Sequence, residues 1–289
     1  QELNIEAYYR NEKARFYPTL LANFIPAGYY LAYQSESDID VAGLRAAMTS
    51  KLNLADRDLK LSYGIDYDHE QDKQTADLYS FSNNGLKYSN TGRSYDFGPD
   101  ATIKNLGVFL QGNYDLTDAF NVQAGIRHQR IESDTTSFKP TLPAIQGDIT
   151  GQVVGTVAAG SVQHDKTLFN LGAVYQLNDQ QQFFANFSQG FSLPDIQRLL
   201  RDVAAGYVVR SDNVDPITVN NYELGWRLHN DQGANLALTG FYNSSDKVVQ
   251  FKADRSVTVA DTDQRVYGVE ANASVPVLEQ FNVGGTLSY

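Results

Sequence analysis

Four side chains within one short stretch of this 289-residue chain, Arg198, Arg201, Tyr207 and Arg210, could hold an oxygen-rich anion. A guanidinium group donates planar, paired N–H bonds that suit carboxylate-like oxygens, and a phenol adds one more donor. The stretch FFANFSQGFSLPDIQRLLRD (183–202) that leads to them also supports a plainer reading. Phe183, Ala185, Phe187 and Phe191 alternate as a strand, then Pro194 and Asp195 stop it, proline being favoured in a first helical turn. Ile196, Leu199, Leu200 and Val203 follow at helical spacing, so a short helix would pack a long loop down and the arginines would flank it. Arg127, Glu223, Arg227 and Glu270 form a second group. All four stand on the polar faces of alternating segments, where they would pair with one another or with another part of the protein.

The elements that must position these groups have period two. In NYELGWRLH, Tyr222, Leu224, Trp226 and Leu228 oppose Asn221, Glu223, Gly225 and Arg227. In FNVQAGIRHQ, Phe120, Val122, Ala124 and Ile126 oppose Asn121, Gln123, Gly125 and Arg127. Leu59, Leu61, Tyr63, Ile65 and Tyr67 oppose Lys60, Ser62, Gly64, Asp66 and Asp68, and VYGVEANASV and FNVGGTLSY continue the pattern. Each segment is a strand with one apolar and one polar face.

The connections decide what those faces meet. Tight turns fall around Ala55, Asp118, Asp179, Asp231 and Pro276, and between them lie long connections at about 80–101, 136–164, 192–216 and 248–262. Long loops are uncommon in compact soluble domains, whereas outer-membrane barrels put short turns at one end and long loops at the other. The segments 102–116, 119–134, 165–178, 217–229, 233–247 and 263–276 also exceed the five or six residues of an average soluble strand and suffice for a tilted bilayer crossing. Tyr114, Phe120, Tyr175, Phe183 and Phe281 sit beside the short turns, as an interfacial girdle requires. The expected fold is all-β, a transmembrane antiparallel β-barrel with about 11 strands in this chain. Polar side chains would face its lumen and apolar ones lipid. Residues 1–289 form a single part of one barrel domain, and both termini, in mid-alternation, read as cut from something larger.

Composition narrows the function. A net charge of −11 argues against nucleic-acid binding, and with no cysteine there is neither a disulfide framework nor a zinc finger. No run of apolar residues is long enough for a transmembrane helix. His69, His128, His164 and His229 lack metal-site spacing, the acidic stretches DTDQ (261–264) and SDNVD (211–215) lack a calcium-loop pattern, and no nucleophile or nucleotide motif asks for an enzyme. The Gly- and Val-rich GQVVGTVAAG and the preceding LPAIQGDIT read as loop.

FSQGFSLPDIQ, VNNYELGWR, LALTGFYNSSDKVVQF and RVYGVEANASV, in that order over residues 181–289, resemble the barrel of TonB-dependent outer-membrane siderophore receptors, those of the ferric-aerobactin type above all. The resemblance implies a bacterial outer-membrane, multi-pass barrel of 22 strands, occluded by an N-terminal plug that carries a TonB box; plug and terminal strands are missing from these residues. It further implies a ferric siderophore as transported ligand, with no covalent cofactor, and energy from the TonB–ExbB–ExbD complex. Lipid and lipopolysaccharide would surround a monomer that binds no nucleic acid. Arg198, Arg201, Tyr207 and Arg210 would then line the entrance, with Arg127 and Arg227 in the lumen. The competing expectations are a passive porin-like channel and, further off, a soluble β-sandwich that binds carbohydrate.

Overall fold

The computed structural model describes residues 1–21, 30–81, 87–210, 214–252, 257–278 and 281–289. Eleven strands follow one another through a single antiparallel sheet: β1 (Glu2–Arg15), β3 (Leu31–Leu54), β4 (Arg57–Phe81), β6 (Ala101–Thr117), β7 (Phe120–Thr135), β8 (Gly160–Asn178), β9 (Gln181–Ser192), β10 (Ile217–His229), β11 (Asn235–Ser245), β14 (Gln264–Leu278) and β15 (Phe281–Ser288). The short β2 (Thr19–Leu20) pairs with β3, and β5 (Tyr88–Asp96) pairs with the far end of β4. β12 (Val248–Phe251) and β13 (Val257–Ala260) make a separate hairpin. Among the described residues β1 and β15 are the two edges and do not pair with each other.

The tight turns lie where the alternation breaks. Ala55 and Asp56 both take positive φ (52° and 62°), the twist that matches a two-residue hairpin between right-twisted strands. Thr117 and Phe120 close the β6–β7 turn, Asn178 and Gln181 the β8–β9 turn. Of the turn expected around Pro276, Pro276 itself lies within β14, and residues 279–280 are outside the described residues.

Strand length exceeds what a bilayer needs. β4 has 25 residues, against about nine to eleven for a tilted crossing. Its outward face shows where the crossing ends: Leu59, Leu61, Tyr63, Ile65 and Tyr67 are followed by His69, Gln71, Lys73 and Thr75. The same change occurs after Tyr9 in β1, Leu106 in β6, Ile126 in β7 and Phe169 in β8. Below it the apolar side chains stand exposed, Leu224 at 66 % and Leu171 at 56 % of their surface. Above it outward charges pair across strands, as Lys13 does with Asp38 (2.7 Å) and Lys104 with Asp134 (3.2 Å). Exposed pairs of this kind contribute little stability.

The two clusters of buried hydrophobic residues sit at the long-loop end, while Val41, Ile131 and Leu168 are buried outside them along the strands. One cluster joins Ala101, Phe138, Val157, Val162, Ile196, Leu199, Leu200, Val214 and Val257; another joins Leu21, Leu78 and Ile145. Two helices build them. α1 (Thr141–Thr150) ends at Gly151, whose positive φ of 76° lets its N–H bond to the Gly147 carbonyl. It occupies the stretch read from sequence as loop. α2 (Ile196–Leu200) is the helix expected from the 196/199/200/203 spacing, but Asp195 caps it and Pro194 precedes the cap instead of lying in the first turn.

An outward Leu224→Arg change should therefore lower barrel stability in lipid vesicles by about 2–4 kcal/mol, whereas the inward neighbour change Glu223→Gln should alter it by well under 1 kcal/mol. Denaturant unfolding of the whole protein in vesicles measures both; equal effects would mean that the two faces are misassigned.

Candidate ligand entrance and inner face

Residues paired across neighbouring strands point to one side, so the register assigns the inner face. Arg45, Asp66, Gly107, Gln129 and Lys166 form one continuous row across β3, β4, β6, β7 and β8. Arg127 lies on this face and meets Asp66 in a two-pronged pair, Nη1 to Oδ2 at 2.8 Å and Nη2 to Oδ1 at 2.7 Å, while its Nε donates to Gln129 Oε1 (3.0 Å). Asp66 is only 6 % exposed, so this is the buried, geometrically complete type of ion pair. Gly107 makes it possible: a Cβ there would stand 2.1 Å from Arg127 Nη2. The partner of Arg127 is thus Asp66, which the sequence reading did not single out, and not Glu223 or Glu270.

Arg227, on β10, lays its guanidinium over the Phe184 ring at 4.2 Å. Gly225 beside it leaves room for that ring, since a Cβ would stand 2.3 Å from Phe184 Cζ. Both lumen arginines are therefore held by close approaches over glycine.

At the long-loop end the connection after β9 turns inward. Between β9 and β4 lie three strands, β6, β7 and β8, yet α2 touches the inner side of β4. Gln197 is 1 % exposed and fully engaged: Nε2 donates to the Asp72 carbonyl (3.0 Å) and the Pro99 carbonyl (2.8 Å), and Oε1 accepts from Gln74 Nε2 (2.7 Å). Arg201 donates from Nε to the Phe97 carbonyl (3.1 Å) and from Nη2 to Gln74 Oε1 (2.7 Å), with its guanidinium stacked 3.8 Å over the Phe97 ring. Burial pushes its pKa down, and the neighbouring Arg198 adds to the effect.

The four entrance residues consequently differ in situation. Arg198, beside Arg201 at the edge of the same small space, is paired with Asp202 (2.9 Å) and lies 5.8 Å from the Phe251 ring. Tyr207 packs against the larger buried cluster, and Arg210 is exposed. Phe251 is 72 % exposed on the β12–β13 hairpin. Tyr33, Phe97, Thr141, Leu142, Arg198, Arg201 and Asp202 leave between them a space of about 90 Å³, well below the ~300 Å³ of a small-molecule pocket. Of the SDNVD stretch, residues 211–213 lie outside the described residues. Gln74, Phe97 and Gln197 were missed from sequence. Gln197 and Arg201, one helical turn apart on one stripe, were the available signal.

The family model described as TonB dependent receptor-like, beta-barrel, matches residues 1–289, and the chain belongs to that family. It is 30 % identical to the rhizobactin receptor of Rhizobium meliloti (strain 1021), covering 98 % of this chain and 40 % of that receptor. It is 33 % identical to the ferric aerobactin receptor of Klebsiella pneumoniae, covering 93 % of this chain and 38 % of that receptor. The chain thus spans about 40 % of the length of the relatives it matches. Among solved structures the copper transporter OprC superposes with a TM-score of 0.72 at 15 % identity, over 99 % of this chain and 44 % of that one, a likeness of fold. TonB-dependent receptors are outer-membrane β-barrels that serve transport, which sets aside the soluble β-sandwich reading.

Asp72, beyond the apolar band, gives the docked helix a pH dependence. Burial first, then Asp195 and Glu70, raise its pKa to about 6, against weaker opposing hydrogen bonds from Gln74 and Ser37. An acid with a raised pKa in the docked state binds its proton more readily there. The docked state is therefore most favoured below the ordinary value near 3.8 and loses stability as pH climbs towards 6. Amide hydrogen exchange over 196–200, corrected for intrinsic rates, should be slower at pH 5 than at pH 7, and Asp72→Asn should remove the difference. A wild-type profile that stays flat after that correction would count against this account.

Proposed function

We propose that the protein carrying this chain imports a ferric siderophore across the bacterial outer membrane. In this reading the strands belong to one 22-stranded barrel, and residues 1–289 form part of that single domain. Its lumen is filled by an N-terminal plug, and a TonB box on the plug takes energy from TonB–ExbB–ExbD. The barrel works as a monomer surrounded by lipid and lipopolysaccharide. The observation that carries the proposal is the capped mouth. The long connections fold inward over a polar inner face and present cations and an aromatic ring, whereas a passive porin-like channel needs an unobstructed entrance.

The relatives named for rhizobactin and ferric aerobactin support a chelate whose outer oxygens are anionic. Arg198, Arg210 and Tyr207 would meet that anion first, with Phe251 beside them. Arg201 would contribute by holding α2 in place. Arg127 and Arg227 would line the route further in, where preformed positions limit the ordering cost of binding.

Growth of an iron-starved deletion strain on single ferric siderophores tests the cargo. Growth on one of them should require this protein, and independence for every siderophore would retire the reading. Arg198→Ala combined with Arg210→Ala should weaken binding of that chelate about tenfold, the equivalent of ~1.4 kcal/mol. Titration on whole cells measures this, and unchanged affinity would remove these two arginines from the binding surface.

A further inference from the structure

We infer that residues 193–210 form a latched strap across the mouth, and that the latch on β4 has to open before a ligand can pass inward. The inference rests on the proposed import function for its consequence, though not for its geometry. Three observations carry it. First, the strap runs as a chord. It leaves β9 and reaches the inner side of β4, through side-chain contacts between residues 123 to 127 positions apart in sequence.

Second, the latch is polar, complete and buried. Gln197 has acceptors for both N–H groups and a donor for its oxygen, and Arg201 satisfies the same Gln74 from the other side. A network in which Gln74 both donates to Gln197 and accepts from Arg201 is cooperative: breaking one member strands the others without water. Such a contact has two states, made or broken, and few in between. The seat fits only this arrangement, for Gly98, at a φ of +123°, brings the 97–99 turn to within 3.2 Å of the Gln197 carbonyl as measured from where a Cβ would lie.

Third, the made state leaves little room between α2 and the elements packed beside it. The space beside the latch is about 90 Å³, and Phe97 under the Arg201 guanidinium closes its floor. A chelate cannot pass between α2 and β4 while Gln197 holds. The same seat contains the reason why the latch is not permanent: Asp195, which caps α2, faces Asp72 and Glu70 with like charge, while Ser37 and Gln74 supply only neutral hydrogen bonds to Asp72. Gln197 and Arg201 are positioning residues in this account. They touch no ligand.

Residues 1–289 contain no cysteine, so within them the introduced thiols are the only ones to react. Gln74→Cys with Gln197→Cys, introduced into the whole protein in its native membrane, can be joined by a short thiol-reactive linker carrying a reducible disulfide. With the ferric siderophore that supports growth as probe, the linked protein should import at least tenfold more slowly than the unlinked one and recover when the linker is reduced. Import at an equal rate, or a loss that reduction does not reverse, would overturn the strap. If the unsubstituted protein imports no ferric chelate at all, the import function fails instead. The latch is then still read by a membrane-impermeant maleimide. Leu200→Cys, which leaves Gln197 and Gln74 in place, should label at least tenfold more slowly than Arg210→Cys, and additional Gln74→Leu should bring the two rates together. Equal labelling in the otherwise unsubstituted protein would show that no latch exists.

Discussion

Everything in this structure depends on the absence of water around the middle of the sheet. In hydrocarbon an unpaired N–H or C=O costs several kcal/mol, so each strand has to find its neighbour along the whole crossing. The meander answers this with continuous antiparallel register from β1 to β15. Solvent exposure then sorts the side chains in reverse: Leu171 and Leu224 lie outside, while Asp66 and its arginine lie within. A soluble domain with this burial pattern would have no core where the sheet is longest.

The hydrophobic effect returns only beyond the apolar band. There the extra length of β3 and β4 rises into water, and the connections gather into two clusters around Ile145 and around Ile196, Leu199 and Leu200. One molecule is thus stabilised in two ways. Lipid covers the band, and packed side chains hold the cap. The arginines proposed for ligand capture belong to the second regime, where orientation depends on helix packing and on hydrogen bonds such as those of Gln197.

Much of this was legible in the sequence because period two survives any tertiary context. The run from Leu59 to Tyr67 announces both its faces, and the observed strand 217–229 coincides with the one expected. Helix α2 was legible too, through Ile196, Leu199 and Leu200. What escaped were contacts between segments far apart in the chain. Nothing near Arg127 in sequence names Asp66, and nothing near Gln197 names Gln74 or Pro99. The strand β5 and helix α1 were read as loop for a different reason. Thr141–Thr150 contains a proline and a glycine that local propensity counts against a helix, and packing of Ile145 in the cap overrides that preference.

The distance along the chain between Gln197 and its seat has a kinetic meaning. Contacts of such high sequence separation can form only after the intervening loop-closure entropy has been met, so they come late in folding. β6, β7 and β8 must already be zipped and curved before α2 can find β4. The seating of one glutamine therefore reports that assembly of the surrounding wall is finished.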